Sequence, residues 1–237
     1  MKISVVIPVL NEMVNLKDAI DSVRIAVADP EIIVADGGST DGSLAWLQAQ
    51  NGVQFVQATR GKGPQQNAGA KLASGDIILF LHADCRLPAD AGAQLQQVMQ
   101  DQQIAGGCFL ARWSRNTWAL RVIAFGMNLR TRVRKTSYGD QALFLRRLVF
   151  NQVNGFPDWP LFEDTELVRR MKTAGRFVVV HSPVTMSARR FEERGIFHGI
   201  FLVYFLQIAF LLGVSPARLK RWFADIRPQV DPKDARR

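Results

Sequence analysis

The stretch ISVVIPVLNE, residues 3–12, is a short apolar run that passes directly into two polar residues. Apolar runs of the same kind recur at residues 32–35, 53–56 and 77–81, each bounded by Gly, Asn or Asp. Strands of this length alternating with helices predict right-handed crossovers and a parallel sheet. Because nearly every residue of these runs is apolar, we expect helices to cover both faces of the sheet.

The rest of the chain completes an α/β pattern. Helical spacing of apolar residues is found at residues 15–28, 41–50, 65–73 and 163–174. Further strands are predicted at residues 104–110, 142–145 and 177–180, whereas the Trp- and Arg-rich stretch 112–135 is less regular. The prediction is a mostly parallel central sheet flanked by helices in residues 1–190, followed by an apolar and basic helical tail in residues 191–237.

Composition restricts the class of protein. Of the 237 residues 48% are hydrophobic, which is enough for a packed core and argues against bulk disorder. The two cysteines, Cys85 and Cys108, have neither CxxC spacing nor a histidine cluster nearby, so a disulfide scaffold and a zinc site are disfavoured. The apolar run at the N-terminus is too short for a signal sequence, and we expect a cytoplasmic protein.

A net charge of +9 indicates an anionic partner: nucleic acid, lipid or a phosphate-rich substrate. The basic residues cluster at residues 130–135, 189–190 and 218–221, in the second half of the chain. Each cluster by itself is most often a solvated surface. Their position around an apolar tail favours the inner face of a membrane, and no nucleic-acid-binding motif is present.

The tail allows three interpretations. Residues 196–214 are nineteen residues without a formal charge, long enough for a membrane span. They could also form a buried or dimer-interface helix, or a helix lying on the membrane surface. A span would export a short basic C-terminus, against the positive-inside tendency, so we favour association over spanning.

Polar motifs follow the first four predicted strands. They are Asn11-Glu12, the stretch DGGSTDGS at residues 36–43, the stretch RGKGPQQNAG at residues 60–69, and His82-Ala83-Asp84. Ligands of parallel α/β sheets bind at the carboxyl ends of the strands, which directs attention to these residues. The glycine-rich stretch lacks the P-loop signature, and no dinucleotide fingerprint follows the first strand.

Each motif has a structural and a functional interpretation. Asp36 could bind a ribose or only close a tight turn, and Asp84 could hold a divalent metal or only cap a helix. The carboxylates Glu163 and Asp164 suit the start of a helix electrostatically, and one of them could act as a general base. Arg189 and Arg190 could clamp a diphosphate or belong to a basic surface.

Taken together, these motifs resemble the family-2 glycosyltransferases with the GT-A fold. The resemblance covers roughly residues 3–190, with four motifs in the expected order. The stretch LHADCRLP at residues 81–88, with YGDQ at 138–141 and SARR at 187–190, is similar to a bacterial subgroup labelled arsenosugar-biosynthesis glycosyltransferases.

The resemblance implies a nucleotide-sugar donor and a role for each residue that matches a motif. Uridine and ribose contacts would come from Pro8, Glu12 and Asp36, with Lys62 and Asn67 in the donor cleft. Asp84 would bind Mg²⁺ or Mn²⁺, and Asp164 would deprotonate the acceptor hydroxyl in an inverting transfer. The donor-binding candidates are Pro8, Asn11, Glu12, Asp36, Gly38, Lys62, Asn67, Asp140, Gln141, Arg189 and Arg190; the metal candidates are Asp84 and His82; the catalytic candidates are Asp164 and Glu163.

The metal motif departs from the family pattern. His82-Ala83-Asp84 replaces the usual Asp-x-Asp, so an imidazole stands in place of one carboxylate. A nitrogen ligand is less favourable for Mg²⁺ than for Mn²⁺, so this motif favours Mn²⁺.

Four other functions stay open on the residues alone. A polyprenyl phosphate at the membrane could replace a small soluble acceptor, which would suit the basic and apolar tail. A nucleotidyltransferase shares a similar sheet but would carry a glycine-rich loop after the first strand, which is absent. A catalytically silent nucleotide-sugar sensor and a glycoside hydrolase are the remaining alternatives.

Overall fold

The computed structural model describes residues 1–137, 139–189 and 196–226, and its described part forms an eight-stranded sheet. The strands are β1 (Ile3–Val9), β2 (Glu31–Asp36), β3 (Val53–Gln57), β4 (Ile77–Phe80), β5 (Cys85–Arg86), β6 (Ile104–Trp113), β7 (Phe144–Arg146) and β8 (Arg176–Met186). Their order in the sheet is β3-β2-β1-β4-β7-β6-β8-β5. The pairs β2–β3, β1–β2, β1–β4 and β6–β8 are parallel, and β4–β7, β6–β7 and β5–β8 are antiparallel. The predicted α/β fold with a mostly parallel sheet is confirmed.

Helices connect the strands and extend the chain beyond them. They are α1 (Met13–Ala26), α2 (Ser43–Gln48), α3 (Lys62–Leu72), α4 (Ala91–Val98), α5 (Trp118–Arg134), α6 (Arg147–Gln152), α7 (Glu163–Ala174), α8 (Ile196–Leu211) and α9 (Pro216–Ile226), with a short 3₁₀ turn at Gly139–Gln141. Two compact units result, one of Met1–Asp158 with Glu163–Ala188, the other of Trp159–Phe162 with Arg189–Arg237.

Side chains of the central strands alternate between two cores, one on each face of the sheet. Val5 and Ile7 of β1 join the core that contains α1, whereas Val6 joins the core that contains α7. All three are fully buried. This is the period-two pattern of a strand covered on both sides, and it confirms the expectation drawn from the continuous apolar runs.

The sheet changes direction at β1. The chain runs from β1 outward to β2 and β3, and then returns to place β4 on the other side of β1. The pairing of β1 with β4 ends at Val6↔Phe80, while its pairing with β2 continues to Val9↔Asp36. Strand β4 therefore ends earlier than β1, and its carboxyl end lies beside β1 at the switch point where ligands of such sheets bind.

The Trp- and Arg-rich stretch 112–135, for which no element was predicted, is mostly helical. It consists of the end of β6 followed by α5. Thr117 begins α5, because its side-chain oxygen accepts a hydrogen bond from the Leu120 N–H at 3.4 Å. The dense mixture of Trp and Arg in this segment obscured an apolar spacing that is helical.

The second unit has its own small core. Leu206 and Ala209 of α8 and Leu219 of α9 are buried there, and the rings of Phe162 and Phe210 stack 4.5 Å apart. Helix α8 spans 16 residues, and its last turn is closed by Gly213 at φ +89°. Among the described residues, no helix combines the length and the apolar character that crossing a membrane requires.

A polar cluster lies at the N-terminal ends of β1, β2 and β4, at the other end of these strands from the predicted ligand-binding motifs. The Glu31 carboxylate accepts hydrogen bonds from the Ser4 hydroxyl, from the Ser74 N–H at 2.7 Å and from the Ser74 hydroxyl at 2.7 Å. Lys2 lies 3.4 Å from the same carboxylate. Burial alone would raise the pKa of Glu31, but these hydrogen bonds and the charge of Lys2 lower it to about 2.

We predict that Glu31→Gln destabilises the protein at neutral pH and has little effect in acid. A carboxylate with a depressed folded-state pKa contributes stability above its ordinary pKa of 4.5, and that contribution is lost as pH falls toward about 2. The cost at neutral pH should be at most about 3.5 kcal/mol, because the pKa falls from 4.5 to about 2 and each pKa unit corresponds to about 1.4 kcal/mol. Urea unfolding across this pH range measures it. The exposed Asp29→Asn is the control and should show no such pH-dependent loss.

Candidate active site

The loops after β1 and β2 are joined by hydrogen bonds between their polar side chains. Asn11 accepts the Thr40 N–H at 2.8 Å, and its own N–H donates to the Ser39 hydroxyl at 3.0 Å. Asp41 accepts the Met13 N–H at 2.9 Å. Asn11 has φ +54°, a conformation that Asn tolerates better than most residues. The two predicted donor motifs therefore form one surface.

Asp36 closes its own loop. Its buried carboxylate accepts the Gly38 N–H at 2.9 Å and the Ser39 N–H at 3.1 Å. Gly38 has φ +93°, which a residue with a side chain rarely adopts. The structural interpretation of this motif is thus realised, and the carboxylate keeps lone pairs for a ligand because each oxygen can accept more than one hydrogen bond. Pro8 lies nearby, paired with Ala35.

Gln65 ties three of the loops together. Its buried Nε2 donates to the Val9 carbonyl at 2.7 Å and to the Ala35 carbonyl at 2.9 Å, while its Oε1 accepts the Gly61 N–H at 3.3 Å. Gln65 was not among the predicted site residues, and its one sign in the sequence is a glutamine in the first turn of a helix after a glycine turn. Lys62, at the start of the same helix, is exposed.

Asn67 fixes the segment that leads to α7. Its Nδ2 donates to the Phe156 carbonyl at 2.8 Å, and its Oδ1 accepts the Phe156 N–H at 2.9 Å. Gly63 brings α3 close to the same segment, because an added Cβ would lie 2.8 Å from the Pro157 carbonyl oxygen. Glu163 lies near Gly63, so Asn67 helps to position Glu163. Both ends of the Asn67 amide are used by the backbone of Phe156.

Gly139 lies between His82, which follows β4, and Asp164 at the start of α7. Its N–H donates to Asp164 Oδ2 at 2.5 Å. A Cβ added at Gly139 would lie 2.7 Å from His82 Nε2 and 3.4 Å from Asp164 Oδ2. His82 and Asp164, far apart in sequence, therefore face the same small space, which only a glycine leaves open. Asp164 also accepts the Thr165 N–H at 2.7 Å and is largely buried.

Asp84 and Asp140 lie on either side of Cys85. The Cys85 Sγ is 3.7 Å from both Asp84 Oδ1 and the Asp140 carbonyl oxygen. Cys85 is buried, as expected for a packed residue, and burial raises the pKa of its thiol, so it is a poor nucleophile. A cavity of about 130 Å³ adjoins Asp84, with roughly the space of four water molecules. It is lined by Asn15, Ala83, Asp84, Cys85, Arg86, Ser114 and Ser187.

Electrostatics show that the carboxylates of the site act on one another. Burial raises the pKa of Asp140 to about 6; the positive charge of Lys62 opposes this rise and the negative charge of Asp164 adds to it. Arg130 lowers and Asp84 raises the same pKa by smaller amounts. Within the described part of the chain, the buried Asp140 Oδ1 has no hydrogen-bond partner.

Gln141 supports this cluster. It is fully buried, its Oε1 accepts the Thr131 hydroxyl at 3.0 Å, and its Nε2 donates to the Phe109 carbonyl at 3.4 Å. Thr131 and Arg130 belong to α5, so the helix that the sequence analysis missed supplies both a support and a charge to the site.

The remaining predicted site residues are Glu163, Glu12, Arg189 and Arg190. Glu163 is buried at the start of α7, beside Asp164. Glu12 begins α1, where its Oε2 accepts from Asn15 at 2.7 Å. Arg189 is exposed at the first residue of the second unit's C-terminal segment, and Arg190 lies outside the described residues.

Comparison with known proteins assigns the chain to a family. The sequence profile described as glycosyl transferase family 2 matches residues 4–152, which include the loops after β1, β2 and β4 as well as Asp140. The chain belongs to glycosyl transferase family 2. The expected family is thus confirmed.

Two curated relatives show the range of this family. The chain is 35% identical over 113 residues to an uncharacterized glycosyltransferase of Nostoc sp., covering 45% of this chain and 35% of the relative. It is 29% identical over 164 residues to an undecaprenyl-phosphate 4-deoxy-4-formamido-L-arabinose transferase of Aeromonas hydrophila, covering 63% of this chain and 50% of the relative. The chain thus spans half or less of each of these two relatives.

Solved structures confirm the GT-A fold. TarS of S. aureus in complex with UDP-GlcNAc aligns with a TM-score of 0.62 and 16% identity, covering 79% of this chain and 58% of TarS. The mannosyltransferase PcManGT from Pyrobaculum calidifontis, in complex with GDP-Man and Mn²⁺, aligns with a TM-score of 0.61 and 21% identity, covering 78% of this chain and 56% of PcManGT. At this identity the likeness shows the fold alone.

The acidic residues of this family-2 chain are compatible with one kind of metal site. The described residues contain no group of three or more His, Cys, Asp or Glu side chains that could hold a metal ion. A divalent cation that also binds substrate phosphates needs only one or two protein carboxylates. Asp84, with the unpartnered Asp140 Oδ1 in the same cluster, provides such a partial set.

We predict that Asp140→Asn stabilises the protein, with chelator present, at pH values above 6. Because the folded-state pKa of about 6 is higher than the ordinary value of 3.8, the wild type loses stability as pH rises between these values. The variant does not lose this stability, so its unfolding free energy should exceed that of the wild type by about 2 kcal/mol after discounting for solvent screening.

Thermal unfolding as a function of pH measures this difference. The two proteins should have equal unfolding free energies below pH 3.8, where both side chains are neutral. Equal stability at neutral pH would show that the charge of Asp140 is already compensated.

Proposed function

We propose that this chain transfers a sugar from a nucleoside-diphosphate donor, with UDP as the expected nucleotide, to an acceptor hydroxyl with inversion at the anomeric carbon. The observation that supports this most directly is that His82 and Asp164 face the same space at Gly139, while Asp84 and Asp164 both act on the charge of the neighbouring Asp140. Membership of glycosyl transferase family 2 supports the reaction class.

The nucleoside would bind to the joined loops after β1 and β2. Pro8 and Asp36 lie at the ends of the two strands. Asn11, Glu12 and Gly38 lie on the loops, and the glycine leaves room for close approach to the backbone. Because these loops are cross-linked by Asn11 and Gln65, little ordering entropy would be lost on binding. Uridine is favoured by the resemblance noted above, and TarS was solved with UDP-GlcNAc.

The diphosphate would lie between Lys62 and Asp84. A divalent cation held by Asp84, with His82 and Asp140 as neighbouring candidates, would stabilise negative charge on the departing diphosphate. Lys62 lowers the pKa of Asp140, whose burial raises it, so its positive charge reaches this cluster. Lys62 is exposed, and its ammonium could turn toward a phosphate. Asn67 and Gln141 would keep the surrounding segments in place, and Arg189 and Arg190 remain proposed diphosphate contacts.

Asp164 is proposed as the general base. Hydrogen bonds from the Gly139 and Thr165 N–H groups fix the orientation of its carboxylate. It would accept the proton of the acceptor hydroxyl while that oxygen attacks the anomeric carbon and the diphosphate leaves from the opposite face. A single displacement of this kind inverts the configuration. Glu163 is the alternative base on the same helix turn.

A polyprenyl phosphate at the inner face of the membrane is the second candidate acceptor. The Aeromonas relative is an undecaprenyl-phosphate transferase, and the net charge of this chain is +9. The two acceptor classes differ chemically, because a phosphate oxygen is already ionised at neutral pH and needs no general base, whereas a hydroxyl does. Dependence on Asp164 therefore separates them.

We predict that one nucleotide sugar raises the melting temperature and that Mn²⁺ increases the effect. At a hundred times the dissociation constant a ligand adds about 2.7 kcal/mol, which at this chain length corresponds to roughly 5–10 °C. UDP-sugars and GDP-sugars, with and without Mn²⁺, are compared by thermal unfolding. Asp84→Asn should remove the part that depends on Mn²⁺, and the exposed Asp29→Asn should not. An unchanged Mn²⁺ effect in Asp84→Asn would contradict the metal assignment.

We predict that Asp164→Asn lowers kcat about 10²- to 10⁴-fold with a hydroxyl acceptor, the range typical for loss of a general base. Release of nucleoside diphosphate is measured against a panel of alcohols and against polyprenyl phosphate, with Glu163→Gln as the matched variant. The donor-induced shift in melting temperature should survive in both. A larger loss in Glu163→Gln would transfer the role to Glu163, and no turnover in the wild type with any acceptor would favour a nucleotide-sugar sensor.

A further inference from the structure

Helix α5 presents a stripe of large apolar side chains to solvent. Trp118, Val122, Phe125, Leu129 and Val133 are between 49% and 74% exposed. At about 100° per residue these five positions fall within an arc of about 80°, so they form one continuous face. Soluble monomers rarely expose a contiguous apolar patch of this size, and such patches mark interaction sites.

The opposite face of α5 is firmly attached to the sheet. Leu120 and Thr131 are buried, and Met127 packs against the core on the α1 face. Asn128 accepts the Ala111 N–H at 2.9 Å and donates to the Ala111 carbonyl at 2.9 Å, so its amide docks onto β6. The helix is therefore held in this orientation, with its apolar stripe directed outward.

Basic residues lie along one edge of the stripe. Residues 102–139 contain no Asp or Glu and seven basic side chains: Arg112, Arg115, Arg121, Arg130, Arg132, Arg134 and Lys135. Arg121 and Arg132 are exposed and border one edge of the stripe. An apolar stripe flanked by arginines is the pattern of a helix that lies in the interface of a membrane.

We propose that the α5 stripe binds the surface of an anionic lipid bilayer. The apolar side chains enter the boundary between headgroups and acyl chains, and the flanking arginines bind the acidic headgroups. The positive charge of the flanking arginines favours an anionic bilayer over a basic protein surface. A second copy of the chain would bring the same positive charges together, and the second unit of the chain is itself basic, with Arg218, Lys220 and Arg221 on α9.

This binding does not depend on the reaction that the site performs. The inference that membrane binding brings a lipid-linked acceptor to the site rests on the proposed function. Thr131 of the same helix bonds to Gln141, next to Asp140, so the bilayer would lie about one helix diameter, ~10 Å, from the candidate site. A lipid-linked acceptor would then reach the site without leaving the bilayer.

The test is flotation of the full-length protein with vesicles of two compositions. One is phosphatidylcholine alone and the other an equal mixture of phosphatidylcholine and phosphatidylglycerol. We expect binding to the mixed vesicles that weakens as salt is raised. The variant Val122→Gln with Phe125→Gln should bind at least about tenfold more weakly. Arg121→Gln with Arg132→Gln should lose about fivefold for each charge on the mixed vesicles only.

Two matched variants locate the effect. Val14→Gln with Ile25→Gln removes two equally exposed apolar side chains from α1 and should bind like the wild type. Leu211→Gln with Leu212→Gln does the same on the second unit. The donor-induced shift in melting temperature, measured on each variant, shows that the fold and the candidate site are retained, whatever the vesicle result.

Three outcomes would overturn the proposal. In the first, the α5 variant floats as well as the wild type while the Leu211 and Leu212 variant does not, which would assign membrane binding to the second unit. In the second, no vesicle binds and the α5 variant converts a dimer in solution to a monomer, which would assign the stripe to a second copy. In the third, neutral and anionic vesicles bind equally well, which would remove the role of the arginines.

Discussion

The buried amide of Gln65 is the contact on which the donor side of this protein depends. It bonds to the carbonyl of Val9 at the end of β1, to the carbonyl of Ala35 near the end of β2, and to the N–H of Gly61 before α3. An unpaired buried carbonyl is costly, so one side chain satisfies two strand ends at once. The loops that follow those strands carry most of the proposed nucleotide contacts. The loops after β1 and β2 are also joined by Asn11 and Asp41, and Gln65 adds the segment before α3 to this pair.

The acceptor side of the site is organised around a different constraint, the lack of space at Gly139. A Cβ at Gly139 would lie 2.7 Å from His82 Nε2, so any larger residue would displace His82, and the Gly139 N–H donates to one oxygen of Asp164. The same region gathers Asp84, Asp140 and Asp164, and burial raises the pKa of Asp140 to about 6. A fold selected only for stability would not place these carboxylates together. Perturbed titration of this kind is typical of sites that bind a cation or move a proton.

Helix α5 connects this site to the outside of the molecule. One side of it supplies Thr131 and Arg130 to the neighbourhood of Asp140, and the other exposes five large apolar side chains. The hydrogen bonds between Asn128 and Ala111 hold the helix in the orientation that separates these two roles. If the exposed side binds lipid, then a single rigid element fixes the distance between the membrane and the candidate site.

The amino-acid sequence by itself determined the alternation of strands and helices and the positions of the motifs at the strand ends. Those features depend on local apolar periodicity and on turn residues, which are visible in one dimension. Only the tertiary structure decided that Gln65 joins three loops, that Gly139 brings His82 next to Asp164, and that the Asn67 amide is used by Phe156. It also decided that the Trp- and Arg-rich segment is a helix with one buried and one exposed side. Contacts between residues far apart in sequence follow from how elements pack, and that packing leaves no periodic trace in the chain.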